Sequence, residues 1–181
     1  MTIPTLNRLR ELKLGGMAHA LQQQQEQPGP YAELSFTERL AMLVEQEHLY
    51  REQKKQSRLL QQAHLKLSAT LQEIDYQHPR NVERSQIAQL AQSEWINRGQ
   101  NLLITGPCGS GKTYLACAFG HNACLHGYSV QYYRLSRLLQ TLTQAKADGS
   151  YPKLLRQLAR LRLLVLDDWG LEPLTQAHRN D

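Results

Sequence analysis

No run of apolar residues in this chain approaches the roughly 18 that a membrane-spanning helix needs, so no such helix is expected. The N-terminus, Met-Thr-Ile-Pro-Thr, lacks the basic and apolar regions of a secretory signal. Cysteine is scarce: Cys108, Cys117 and Cys124 are too few for a disulfide framework, and a reducing cytoplasm is the expected compartment. There is no C-x-x-C pair, no H-x₃-H pair, no Ser-His-Asp spacing and no internal repeat. These absences argue against a disulfide-stapled secreted domain, a zinc module, a triad hydrolase and a solenoid. What remains is a chain of 181 residues with 41% hydrophobic content, enough to bury a core in one or two small domains.

Charge is unevenly placed. Residues 1–75 carry 9 Lys/Arg against 9 Asp/Glu, whereas residues 76–181 carry 12 against 7 and supply the whole net charge of +5. A basic second half is compatible with a polyanionic partner such as DNA. The first hundred residues read as helical. Leu6, Leu9 and Leu12 begin an apolar stripe that Gly15-Gly16 interrupts, and a short helix through Leu21 into Gln22–Gln25 follows, up to the loop Pro28-Gly29-Pro30. Ser35-Phe-Thr-Glu38 has the form of a capping box, in which hydroxyl and carboxylate each satisfy the other residue's backbone N–H. Leu40, Leu43, Val44 and Glu47 continue that helix. Farther on, Arg51, Lys54, Lys55 and Arg58 share one face. Two readings of this face stay open, a solvated surface or a contact with phosphate or an acidic partner. His78-Pro79-Arg80-Asn81 marks a boundary. Residues 85–97 read as a single helix with Ile87, Leu90, Ala91 and Ile96 towards a core, stopped by Gly99.

Gly106-Pro107-Cys108-Gly109-Ser110-Gly111-Lys112-Thr113 is G-x-x-x-x-G-K-[ST], the phosphate-cradling loop of nucleoside triphosphatases. Its glycines let the backbone turn with N–H groups inward, where with the helix N-terminus they attract phosphate oxygens. Lys112 is placed to reach the β- and γ-phosphates, and the Thr113 hydroxyl to ligate Mg²⁺. The setting is also right: Asn101–Thr105 reads as a buried strand before the loop, and Tyr114–Leu125 as a helix after it. Gly127 is a helix stop, Ser129–Tyr133 a second strand, and Leu135–Ala147 a helix closed by Asp148-Gly149. A further helix runs from Ser150-Tyr-Pro152 to about Arg160, and Leu163–Leu166 is a third strand. The alternation predicts an α/β fold, a parallel sheet covered on both faces.

The third strand ends in Asp167-Asp168. An Asp emerging from a buried strand can hold Mg²⁺, the role expected of Asp167; Asp168 is then placed to orient or activate an attacking water. Cys117, His121 and Cys124 fall on one side of the loop helix, but a helix packed on a sheet uses cysteine as a small hydrophobe, so a metal site is not expected there. Cys108, in the loop ahead of a helix N-terminus, stands in a setting that favours thiol reactivity.

The phosphate loop, Leu163-Leu-Val-Leu-Asp-Asp-Trp-Gly170, Tyr114-Leu-Ala-Cys-Ala-Phe-Gly-His121, Ala147-Asp-Gly-Ser-Tyr151 and Glu73-Ile-Asp-Tyr76 together resemble the IstB family. These are AAA+ ATPase helpers of bacterial insertion sequences, related to DnaC-type helicase loaders. The resemblance covers nearly the whole chain and implies a P-loop NTPase (AAA+) α/β/α core behind a small all-helical domain. The division this implies is 1–75 and 76–181. It also implies ATP and Mg²⁺ as cofactors, ATP-dependent DNA binding, self-assembly and stimulation of a cognate transposase, with no membrane partner. By carry-over, residues 106–113 bind nucleotide, Thr113 and Asp167 serve Mg²⁺, and Lys112 and Asp168 are the catalytic candidates. Lys153, Arg156 and Arg160 form a basic face that suits either solvent or DNA, and residues Ile74–Arg80 are candidates for the adenine pocket by position.

In AAA+ cores the phosphate-loop strand is flanked on both sides by strands that come later in the chain than the acidic strand. The chain reaches Asp181 shortly after that acidic strand. The expectation is a C-terminally truncated, incomplete core without sensor, arginine finger and lid regions. Unpaired buried backbone groups would then cost ~1–3 kcal/mol each. A helicase loader, or an interaction protein that does not hydrolyse ATP, stays open as an alternative.

Overall fold

The computed structural model describes residues 3–77 and 82–170, which form parts of two compact units, 1–57 and 58–181. His78–Asn81, the expected boundary, lie outside the described residues, as does part of the adenine candidate segment. By compactness the units part at Ser57/Arg58, whereas the division that the family resemblance implies is at 75/76.

The first unit is helical: α1 (Ile3–Glu11), α2 (Gly15–Glu26), a 3₁₀ turn at Gly29–Tyr31 and the first part of α3 (Phe36–Ala63). The break between α1 and α2 falls at Leu12–Leu14, with Lys13 left-handed at φ 60°, so Gly15-Gly16 opens α2 rather than interrupting it. Gly16 is chosen for closeness. A Cβ there would stand 2.5 Å from the Gln46 carbonyl oxygen and 2.7 Å from Glu47 Cα. The capping box at the start of α3 forms as expected: the Ser35 N–H donates to Glu38 Oε2 at 2.8 Å, and the Glu38 N–H donates to Ser35 Oγ at 3.3 Å.

Where the helices approach, the buried groups are small or polar: Ala18, Ala20, Gln24 and Glu47. Arg39 Nε donates to Gln24 Oε1 at 3.0 Å. Glu47 Oε2 accepts from the backbone N–H groups of Gly16 (2.8 Å) and Met17 (3.1 Å), two of the orphan donors that open α2, while Oε1 accepts from Arg51 Nε at 2.6 Å. Burial resists ionisation of Glu47, but Arg51 and these N–H groups outweigh it and hold the carboxyl below its ordinary 4.5. A depressed folded-state pKa contributes stability above the unfolded value that is lost as pH falls through the folded one. The helical signal of this unit is therefore expected to weaken as pH falls below about 4.5, and Glu47→Gln is expected to remove that step. Glu47→Ala, which leaves the N–H groups unpaired, is expected to cost about 2–4 kcal/mol at neutral pH in a urea melt. Of the expected basic face, Arg51 and Lys55 pair with acids of their own helix, and Lys54 lies over the Tyr50 ring.

The second unit contains the last turns of α3, then α4 (Arg84–Ala91), α5 (Glu94–Asn97), α6 (Lys112–Leu125), β1 (Val130–Arg134), α7 (Leu135–Asp148), α8 (Tyr151–Ala159) and β2 (Leu163–Asp167). The single helix expected over 85–97 is two helices. Ser93 is buried and left-handed at φ 62°, so the chain turns there although the apolar spacing continues across it. β1 and β2 pair in parallel, Val130 opposite Leu163 and Arg134 opposite Asp167, as the alternation of strand and helix requires.

Helix α6 is apolar nearly all round, with Cys117, Ala118, Phe119, Gly120, Ala123 and Cys124 buried, as befits a helix covered on more than one side. It packs on the sheet. A Cβ at Gly120 would lie 3.5 Å from Val130 Cγ1 and 3.7 Å from Val165 Cγ2. The core combines Leu59, Ala63, Ile96, Ala123, Cys124, Val130 and Val165. Leu135, Leu138, Leu142 and Ala145 make the buried face of α7.

One expectation is corrected. Asn101–Thr105 is not a buried strand: it joins no sheet among the described residues, and Leu103 is 86% exposed. A strand is defined by its partner. The strands expected to flank this segment are not among the described residues, and β1 and β2 pair with each other instead.

Candidate nucleotide-binding site

The loop Gly106–Gly111 runs directly into α6, whose N-cap is Gly111 at φ 90°; Gly109 is also left-handed at φ 77°. Side chains with a Cβ rarely adopt these angles, so the two glycines let the loop curl ahead of the helix. Lys112 folds back over it, donating from Nζ to the carbonyl oxygens of Gly106 (2.9 Å) and Pro107 (2.7 Å). An ammonium satisfied only by exposed carbonyls can be drawn to phosphate oxygens instead. Pro107, Cys108 and Gly109 are exposed, and Ser110 is half-buried with its N–H bonded to the Pro107 carbonyl at 3.3 Å.

The loop and the acidic strand converge. Thr113, in the first turn of α6, donates from Oγ1 to the Asp167 carboxylate at the end of β2, with Oδ2 at 2.9 Å and Oδ1 at 3.1 Å. Sheet and helix packing bring these two motif residues together across 54 positions of sequence. Asp167 also accepts from the Tyr132 hydroxyl at 2.6 Å and has the Lys66 ammonium 3.8 Å away. Burial opposes its ionisation, but the bonds from Tyr132, Thr113 and the Asp168 N–H, with the charge of Lys66, hold its carboxyl below the usual range. Tyr132 is pushed the other way, by its own burial first and then by the adjacent carboxylate, so it stays a phenol and a donor. A hydroxyl and an ionised carboxylate in contact beside a phosphate loop are a hard-oxygen pair suited to Mg²⁺.

Asp168 is left-handed at φ 59°, and its Oδ2 lies 3.5 Å from Arg134 Nε on the neighbouring strand. Cys117 and Cys124 are buried in the packing of α6, and Cys108 is exposed in the loop. Burial pushes the Cys124 thiol up to about 11, which makes it inert at neutral pH. Lys153, Arg156 and Arg160 are exposed on or just after α8. A cavity of about 390 Å³ lies elsewhere, between the end of α3, β1 and α8, and no phosphate-loop residue lines it.

Tyr132 and Lys66 carry no motif. The strand parity of Tyr132, two residues before the register partner of Asp167, is the only signal that could have found it. Nothing in the sequence marks Lys66. Tyr114, which donates from its hydroxyl to the Thr70 carbonyl at 3.2 Å, ties the loop helix to the segment that carries Lys66.

The pattern of the family described as IstB-like ATP binding protein matches residues 7–181. The chain belongs to this family. It is 47% identical to a protein of Pseudomonas fluorescens named for ATP binding in insertion sequence IS1162, over all of this chain and 78% of that one. It is 41% identical to y4pL of Sinorhizobium fredii, named as an insertion sequence ATP-binding protein, over 98% of this chain and 72% of the relative. A Pseudomonas aeruginosa protein named for ATP binding in IS21 is 33% identical over 93% of this chain and 63% of its own length. The IstB-like chain thus carries a P-loop ATPase domain with a small parallel sheet, and no helix among its described residues is long and apolar enough to cross a membrane.

Proposed function

We propose that this chain binds ATP with Mg²⁺ and serves an insertion sequence as an ATP-dependent DNA-binding helper, acting in the cytoplasm with its cognate transposase and with further copies of itself. The observation that carries the nucleotide half of this reading is the contact of Thr113 with Asp167 beside the loop. The backbone of Gly106–Gly111 would receive the phosphates, Lys112 would leave its carbonyls for them, and Thr113 and Asp167 would hold Mg²⁺. The bound cation would neutralise charge on the phosphate oxygens and orient them. Asp168 is the candidate for orienting water; release from Arg134 would free its carboxylate for that task.

The DNA half rests on charge. Residues 130–165 contain Arg134, Arg137, Lys146, Lys153, Arg156, Arg160 and Arg162 against the lone acid Asp148. The exposed trio at α8 suits phosphate contacts, which carry most sequence-independent affinity. In the presence of Mg-ATP, duplex DNA binding is expected to weaken with rising salt. Replacing Lys153, Arg156 and Arg160 together by alanine is expected to reduce the slope of log affinity against log salt by about 2–3. An unchanged slope would remove this face from the DNA interface. Failure of wild-type protein to retain DNA at low salt would end the helper reading.

A further inference from the structure

We propose that Tyr132 is a positioning residue for the metal-holding carboxylate, keeping Asp167 in one orientation when Thr113 turns away from it towards Mg²⁺. This rests on the Mg-ATP reading above and goes beyond its motif residues. Three side chains approach Asp167 Oδ2: the Tyr132 hydroxyl at 2.6 Å, the Thr113 hydroxyl at 2.9 Å and the Lys66 ammonium at 3.8 Å. They differ in how firmly each is held. Thr113 is itself a metal ligand in this reading, and its hydroxyl must point a lone pair at the cation. Lys66 ends a flexible stem, is 35% exposed, and is repelled by an arriving divalent charge. Tyr132 has neither freedom. It lies in the middle of β1, paired opposite Val165, and its ring packs against the cluster of buried Ala69, Cys117 and Ala118.

Of the three, Tyr132 alone can keep donating to Oδ2 throughout. Oδ2 stays pinned, and Oδ1, which takes the longer Thr113 contact of 3.1 Å, is the oxygen left for the cation or its water. Without the hydroxyl the backbone N–H of Asp168 is the fixed donor that remains, the carboxylate is held less firmly, and part of its ordering must be repeated at each binding event.

The test is the Mg²⁺ dependence of ATP affinity in the full chain with Tyr132→Phe, which keeps the ring and removes the donor. The Mg²⁺ concentration giving half of the affinity gain is expected to rise roughly tenfold, with ATP affinity in EDTA within about twofold of wild type. Tyr133→Phe, next along the strand, should leave both unchanged. In an Asp167→Asn background, Tyr132→Phe should have no further effect on the Mg²⁺ response, since it acts through that carboxylate. An unmoved Mg²⁺ midpoint overturns the inference. So does an equal loss of affinity with and without Mg²⁺, which would mark a packing role, and so does an effect that persists beside Asp167→Asn. If the wild-type chain binds no ATP in either condition, the nucleotide reading itself fails and the inference falls with it.

Discussion

Lys112→Ala should lower ATP affinity by about 100-fold or more while leaving the melting temperature unchanged. The ammonium supports little of the fold: it donates to two exposed carbonyls of its own loop. With nucleotide bound, the same ammonium would meet multiply charged phosphate oxygens, where charge-assisted hydrogen bonds are about twice as strong as neutral ones. Losing about 3 kcal/mol of such contacts corresponds to roughly two decades of Kd. Lys112→Arg should restore little, because the planar fork of the guanidinium does not fit a site shaped for a compact ammonium. Calorimetric titration with ATP beside a thermal melt separates the two effects. A parallel loss of melting temperature would mean that Lys112 holds the loop together rather than awaiting a ligand.

Gly16→Ala should destabilise the first unit by about 3 kcal/mol, the upper end of the usual cost of forced overpacking, and Gly16→Val by more. The new Cβ would stand 2.5 Å from the Gln46 carbonyl oxygen, 2.7 Å from Glu47 Cα and 2.8 Å from Tyr50 Cβ. The nearest two are backbone atoms of α3, so no side-chain rotation relieves the clash. Separating α2 from α3 would also lengthen the bonds from Gly16 and Met17 to Glu47. The gain of about 1 kcal/mol in helix propensity from alanine is too small to offset this. Gly29→Ala is the control, since nothing lies within 4 Å of its Cβ position, and it should be nearly neutral in a urea melt.

Much of this architecture is legible from local chemistry. The capping box at Ser35, the ends of α7 and α8, and the strands β1 and β2 depend on nearby residues and form where their patterns put them. The meeting of Thr113 and Asp167 was also accessible, because the pattern of each motif gives its residue the same expected role. The exceptions are tertiary. Gly15-Gly16 looks like a helix breaker by propensity, yet its lack of side chains is what lets α2 approach α3. Ser93 interrupts an apolar period that reads as continuous. Asn101–Thr105 has the composition of a strand, but a ladder needs a neighbour, and composition cannot supply one. Tyr132 and Lys66 reach Asp167 only through the parallel register of the sheet and the path of the chain after α3.

The most direct test of the account is titration of the unmodified chain with ATP, once with Mg²⁺ and once with EDTA. Saturable one-to-one binding that tightens when Mg²⁺ is present is the predicted result, since the loop would take the phosphates and Thr113 with Asp167 the cation. Absence of saturable binding up to millimolar ATP in both conditions would contradict it. The contact between loop helix and acidic strand would then be a packing feature of the fold and not a nucleotide site.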